Sequence, residues 1–388
     1  MLTLLRDVSM AQLMEPVQHF HPPHIFMTCL TFSDSACILG RVKRVFLRVN
    51  SRELRIMVFS KSRRRRRFNS NSAAAVQQLE PRTMLSGVIT TAAEDPTTFY
   101  AAGHLDAIGL TNLQQDVGFS GIDGSGQVIV IIDTGFDLTN PMFAGRILYS
   151  TDFGGVGDTN ASPDIGLDRE HGTLVAHIAA GDHTYQGVAT GADLILLKAG
   201  HDVWDPQESA WVSVFDVDDL VEALDWVVQN QSTYNIAAVN LSIQSPEQVD
   251  EFTPSQLADQ FALLEAANIV PVVASGNMFD VNNPVPELSE LAADLSSLAV
   301  GAVTAANVPW SGSGRTTNVI DVFAPGEFIP AYNINTQTVQ GFRGTSFSAP
   351  QVAGAVALLQ QLAEQEFGRK LAVHEIREHL RLSGDIFY

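Results

Sequence analysis

Five short apolar runs punctuate the chain: Gln127–Asp133 (QVIVIID), Ala192–Ala199 (ADLILLKA), Ile236–Ile243 (IAAVNLSI), Asn268–Asn277 (NIVPVVASGN) and Ser297–Val303 (SLAVGAV). None alternates strictly between polar and apolar residues. Each therefore presents apolar side chains on both faces, as strands do in a parallel sheet covered by helices. Between the runs the period changes to 3.6. Leu220, Val221, Leu224, Val227 and Val228 share one stripe of a helix over 218–230, with acids at its start to meet the helix dipole. Val352, Ala355, Val356, Leu359 and Leu362 repeat the pattern. Strand-helix alternation of this kind predicts an α/β fold, a doubly wound, mostly parallel sheet flanked by helices.

Ahead of His104 the pattern is lost. Residues 1–56 show neither period and predict no stable fold. Charge divides the chain at the same end: residues 1–87 carry 14 Lys and Arg against 5 Asp and Glu, and the remainder carries 9 against 38, within a total of −20. The expected organisation is a basic leader over 1–87, a linker over 88–104 and one α/β body over 105–388. So acidic a body argues against nucleic-acid binding, which needs clustered Lys and Arg. Both cysteines, Cys29 and Cys37, lie in the leader, so the body has neither a disulfide framework nor a thiol nucleophile. No run reaches the roughly 18–20 apolar residues of a membrane-spanning helix. Composition leaves the oligomeric state open.

Met57 offers an alternative start, because MVFSKSRRRRRF opens with the positive front of a bacterial export leader. Gln77–Gly87 (QQLEPRTMLSG) resembles the LEPR-x-LL segment near the start of many exported bacterial proteins. That resemblance implies export to the extracellular space or cell envelope, with the leader removed. Arg63–Arg67 also reads as a solvated charge run or a nucleic-acid patch.

The candidate chemistry begins with Asp133, at the end of its apolar run, where parallel sheets meet their ligands. Asp-Thr-Gly alone fits a strand-end turn, one half of an aspartic-protease dyad, or the acid of a triad. The chain has no second Asp-Thr-Gly, and the α/β alternation disfavours the dyad. HGTLVAHIAAG places His171 before a helix of small residues, with Gly172 allowing close backbone approach. GTSFSAPQVAGAVALL sets Ser346 at the entrance to the helix of Val352–Leu362, with Pro350 in its first turn. Ser346 also reads as a plain helix cap.

In this order the three motifs resemble the subtilisin-like serine proteases, over about residues 108–382. The resemblance implies a serine endopeptidase acting on protein or peptide substrates. Ser346 would be the nucleophile, His171 the base and Asp133 its orienting acid, the three joined in one hydrogen-bonded row. It further implies that Asn277, ending VVASGN, helps hold the oxyanion. Ser242, Ile243 and Gln244 would lie along one side of the substrate, with Ala274, Ser275 and Gly276 along the other. The alternative is an inactive scaffold of the same fold that binds peptides without cutting them.

Departures from the family pattern are Gln244 for a Gly, which would narrow the pocket, and Leu174, His177, Phe347 and Gln351 along the two helices. No cofactor is expected to be required. The family's strong calcium site is expected to be missing, because the loop over 180–187 is short and Met142 replaces a liganding Asp. Asp152, Asp158, Asp164 and Asp168 are expected as solvated loop charges, with a different calcium as the alternative. The acid-rich stretch His201–Asp219, if it borders the cleft, would favour cationic substrates.

Overall fold

Seven strands pair side by side, all in parallel: β1 (Val128–Asp133), β2 (Ile147–Asp152), β3 (Asp193–Lys198), β6 (Ile236–Leu241), β8 (Val270–Ala274), β10 (Leu298–Val303) and β11 (Val322–Pro325). The computed structural model describes residues 103–154, 159–183, 185–279, 285, 287–316, 319–333 and 338–384. The leader, the alternative start at Met57, the LEPR-like segment and the linker up to residue 102 lie outside these residues. The spatial order is β11-β10-β8-β6-β1-β3-β2, so the chain first crosses to the edge at β2, returns to fill β3, and then moves outward on the other side of β1. This is the doubly wound α/β sheet expected, and all five apolar runs are strands in it.

Strand β1 shows why both faces must be apolar. Ile129 and Ile131 enter one core with helices α3 (His171–Ala180) and α6 (Ala349–Phe367), while Val128, Val130 and Ile132 enter a second with α4 (Val217–Asn230) and α5 (Ala258–Ala266). The first core is completed by α1 (His104–Ala107), α2 (Leu110–Gln115) and α7 (Val373–Ser383). Residues 349–363 of α6 are buried on every side, which explains its weak stripe: a helix surrounded by protein needs no polar face. The helix begins at Ala349, ahead of the expected Val352, and is preceded by a single 3-10 turn, Thr345–Phe347. Pro350 fixes that boundary, since its ring is tolerated only in the first turn.

The pattern did not reveal the edge strands β2 and β11, which are only partly buried and lack a continuous apolar run. Three antiparallel pairs were also missed: β4 (Gly200–Asp205) with β5 (Ala210–Phe215), β7 (Gln248–Val249) with β9 (Leu288–Ser289), and β12 (Ile329–Asn333) with β13 (Thr338–Phe342).

Candidate active site

Asp133 closes β1, between the ends of β3 and β6, where the strand order reverses. A crevice forms at such a point because the connections on its two sides leave in opposite directions. His171 is the first residue of α3. The helix reaches β1 only because residue 172 is glycine: a Cβ there would strike the Gly135 carbonyl and come within 3.0 Å of the Asp133 Cβ.

Asp133 is wholly buried. Its Oδ1 accepts the Thr134 N–H at 2.8 Å and the His171 Nδ1–H at 2.7 Å. An oxygen already accepting from an amide fixes the tautomer, so His171 donates through Nδ1 and turns Nε2 outward to the cleft. That Nε2 has no hydrogen-bond partner among the described residues. Burial, the largest influence, works against a charged His171. The charge and hydrogen bond of Asp133, helped by Asp168 and Glu170, outweigh it and raise the imidazole above its usual value of 6.5.

Ser346 sits in the 3-10 turn ahead of α6, after Gly344, whose φ of 143° lies where a side chain is disfavoured. His171 and Ser346 line one small cavity of about 20 Å³, together with Thr134, Asp168, Ser213, Phe215, Ser242, Gln244, Ala274 and Thr345. Of the expected hydrogen-bonded row, only the bond between Asp133 and His171 is formed among the described residues. The Ser346 hydroxyl donates instead to the Ser242 carbonyl at 3.2 Å. The same bond removes the cap reading, since Ser346 caps no amide through its side chain. Phe347 packs against the imidazole, with ring centroids 5.7 Å apart. Gln351 braces this turn by donating to the carbonyls of Phe347 at 2.7 Å and Pro325 at 2.6 Å.

Asn277 is brought to the same turn. Its Oδ1 accepts the amide and the hydroxyl of Thr345 at 2.9 and 3.0 Å, which leaves Nδ2 as the donor available for another group. Gln244 Oε1 accepts the Asn277 N–H at 2.7 Å, so this side chain crosses the pocket and ties its two walls together. The expected substrate residues divide accordingly. Ser242, Gln244 and Ala274 line the cavity, and Gly276 lies with its Cβ position 3.4 Å from Gln244 Oε1. Ile243 and Ser275 turn away from it. Ile243 is in the hydrophobic core, and the Ser275 hydroxyl donates to the Gly314 carbonyl at 2.7 Å.

Sequence reasoning missed Ser213 and Phe215 as cavity residues, although Trp211, Ser213 and Phe215 fall at the alternate positions of a strand. The acid-rich stretch does border the cleft through them, but its carboxylates are largely structural. Asp202 accepts from Ser213 and from the amides of Ile165 and Gly166, Asp205 holds the hairpin turn, and Asp218 and Asp219 occupy the first turn of α4.

Two of the acids expected as solvated loop charges are ion-pair partners. Lys198 Nζ lies 2.6 Å from Asp152 and 3.0 Å from Asp164, and the Lys198 and Asp152 side chains are only 2 % and 3 % exposed. Asp158 lies outside the described residues. At Met142, the backbone carbonyl accepts from Arg146, whose guanidinium also donates to the Ala192 carbonyl at 2.8 Å.

A buried carboxylate oriented on an imidazole, with a hydroxyl on the same small cavity at a sheet switch point, is the site of a serine hydrolase on an α/β fold. The chain belongs to the subtilase family, whose pattern matches residues 124–383, and it is a serine endopeptidase. It is 30 % identical over 269 residues to an intracellular serine protease of Paenibacillus polymyxa, covering 66 % of this chain and 73 % of that one. To the major intracellular serine protease of Bacillus subtilis (strain 168) it is 28 % identical over 260 residues, covering 66 % and 75 %. Its fold resembles the crystal structure of a cold adapted subtilisin-like serine proteinase, with a TM-score of 0.50 and 25 % identity over 67 % of this chain and 82 % of that one.

Proposed function

We propose that Ser346 attacks the peptide carbonyl while His171 Nε2 takes its proton, and that Asp133 orients and stabilises the imidazolium. The observation that carries this reading is the 2.7 Å bond from His171 Nδ1 to Asp133, which leaves Nε2 without a partner among the described residues, beside the cavity that Ser346 lines. Substrate displaces the Ser346 hydroxyl from the Ser242 carbonyl and turns it to Nε2. The Asn277 Nδ2 and the Ser346 backbone N–H then hold the oxyanion, and a donor of this kind contributes about 2.7–4 kcal/mol to the transition state. An acyl-enzyme forms on Ser346, the proton passes from His171 to the leaving amine, and water releases the acyl group by the same steps.

Fluorophosphonate should label the wild type at Ser346 and leave Ser346→Ala unlabelled. Folded wild type that stays unlabelled would identify a peptide-binding scaffold instead.

The side of the site that takes the substrate is read from Ser242–Gln244 and Ala274–Gly276, along which an extended polypeptide lies in strand fashion. Gln244 confines the pocket to small side chains, because a cavity of about 20 Å³ holds little more than one water. Gln244→Gly should shift acyl-side preference from Gly and Ala toward Leu and Phe, and an unchanged peptide-library profile would remove Gln244 from specificity.

No metal takes part in this scheme. The Met142 carbonyl, Asp152 and Asp164 are already engaged by Arg146 and Lys198, and a calcium ion would have to displace those cations. The labelling rate should be the same with and without chelator.

Export is the reading of the leader from Met57 to Gly87, supported by its own sequence: the positive front and the LEPR-like segment. The two bacterial relatives are themselves named intracellular. Mass spectrometry of the mature N-terminus in culture medium and in cell lysate decides the compartment.

A further inference from the structure

The hairpin β4–β5 carries a surface that the mechanism does not use. Its register pairs Gly200 with Phe215, Asp202 with Ser213 and Trp204 with Trp211, so these three pairs share one face. That face begins inside the cleft, where Phe215 and Ser213 line the cavity with His171 and Ser346. It ends in the open, where Trp204 and Trp211 meet edge to face, with centroids 5.9 Å apart and exposures of 51 % and 43 %. Ile165 and Leu167 extend the patch at 68 % and 61 % exposure.

This platform is fixed. Asp202 accepts the Ile165 amide at 2.8 Å and the Ser213 hydroxyl at 2.8 Å, and the Trp211 carbonyl accepts the Leu167 N–H at 2.9 Å. The same loop continues into α3, where the His171 N–H donates to the Asp168 carbonyl at 2.9 Å. Four large apolar side chains held rigidly in water are unfavourable unless something covers them. An indole pair supplies much contact area with little entropy to lose on binding.

We propose that Trp204 and Trp211, with Ile165 and Leu167, form an exosite that captures aromatic or branched apolar side chains of the polypeptide substrate outside the cleft. The occupant is substrate because the face is continuous with the cavity: a chain leaving Ser346 along the hairpin reaches the indoles without a turn. This inference rests on the endopeptidase reading of Ser346. It adds a length requirement, since substrates that fill only the pocket do not reach the indoles.

The test compares a short peptide anilide with a twenty-residue peptide that contains the same cleavage sequence and Phe and Leu residues away from it. For the double variant Trp204→Ser/Trp211→Ser, KM for the long peptide should rise about tenfold. Its kcat, both constants for the anilide and the fluorophosphonate labelling rate should stay at wild-type values. Trp204→Phe/Trp211→Phe should restore most of the loss. An unchanged KM for the long peptide overturns the proposal, as does an equal change for both substrates. Loss of a concentration-dependent dimer in the Ser variant, with no difference between substrates, would assign the patch to self-association and also overturn it. Failure of the underlying reading looks different, because the wild type itself would then resist fluorophosphonate.

Discussion

Asp133 and Lys198 are register partners at the carboxyl ends of neighbouring strands, and each belongs to a buried ion pair, yet only one of these pairs can do chemistry. Lys198 is a permanent cation clasped by Asp152 and Asp164. Burial, the largest influence, works against its charge, but the two carboxylates prevail and raise its pKa above 10.5, so it stays charged across the physiological range. Asp133 faces an imidazole instead. The His171 imidazole can gain and lose a proton, with its pKa raised above 6.5, and its second nitrogen has no partner among the described residues. A buried charge with all its partners in place holds structure, while a buried group with one position open can move a proton.

The largest break in this comparison should come from Asp133→Asn, which removes the charge without changing the shape. We expect kcat to fall about 10⁴-fold with little change in melting temperature. Because Asp133 raises the His171 pKa, wild-type activity should fall with decreasing pH through a midpoint above 6.5, and this variant should move the midpoint down. A kcat–pH profile measured for both proteins checks the sign.

Lys198→Met should behave in the opposite way. Leaving Asp152 buried without its cation should cost about 3–5 kcal/mol of stability in a denaturant titration. The kcat of the folded fraction should change by less than about tenfold, since Lys198 touches neither His171 nor Ser346.

The smallest effect concerns imidazoles that are buried with no acid beside them. Burial lowers His104 to about 4, with His177 adding to the shift, and burial also lowers His177. The unfolded chain then takes up protons first as pH falls below 6.5. The contribution of His104 to stability should thus be complete above that value and disappear as pH falls toward 4. His104→Gln should flatten the fall in melting temperature between pH 6.5 and 4, and an unchanged slope would exclude His104 as the cause.

The sequence determined the central strands, the doubly wound sheet and the positions of Asp133, His171 and Ser346. Short apolar runs without alternation fit strands covered on both faces, and the motif residues lie at a strand end and at two helix starts. It did not reveal the hairpin β4–β5, because its residues alternate over only a few positions and its acids read as a charged border of the cleft. Tertiary structure alone decided which charges are structural, placing Lys198 between Asp152 and Asp164 and turning Ile243 and Ser275 away from the cavity. It also set the Ser346 hydroxyl on the Ser242 carbonyl and drew Gln244 across to Asn277. The physical reason is that a residue's type fixes which bonds it can make, while its neighbours in space, often distant in the chain, fix which of them it does make.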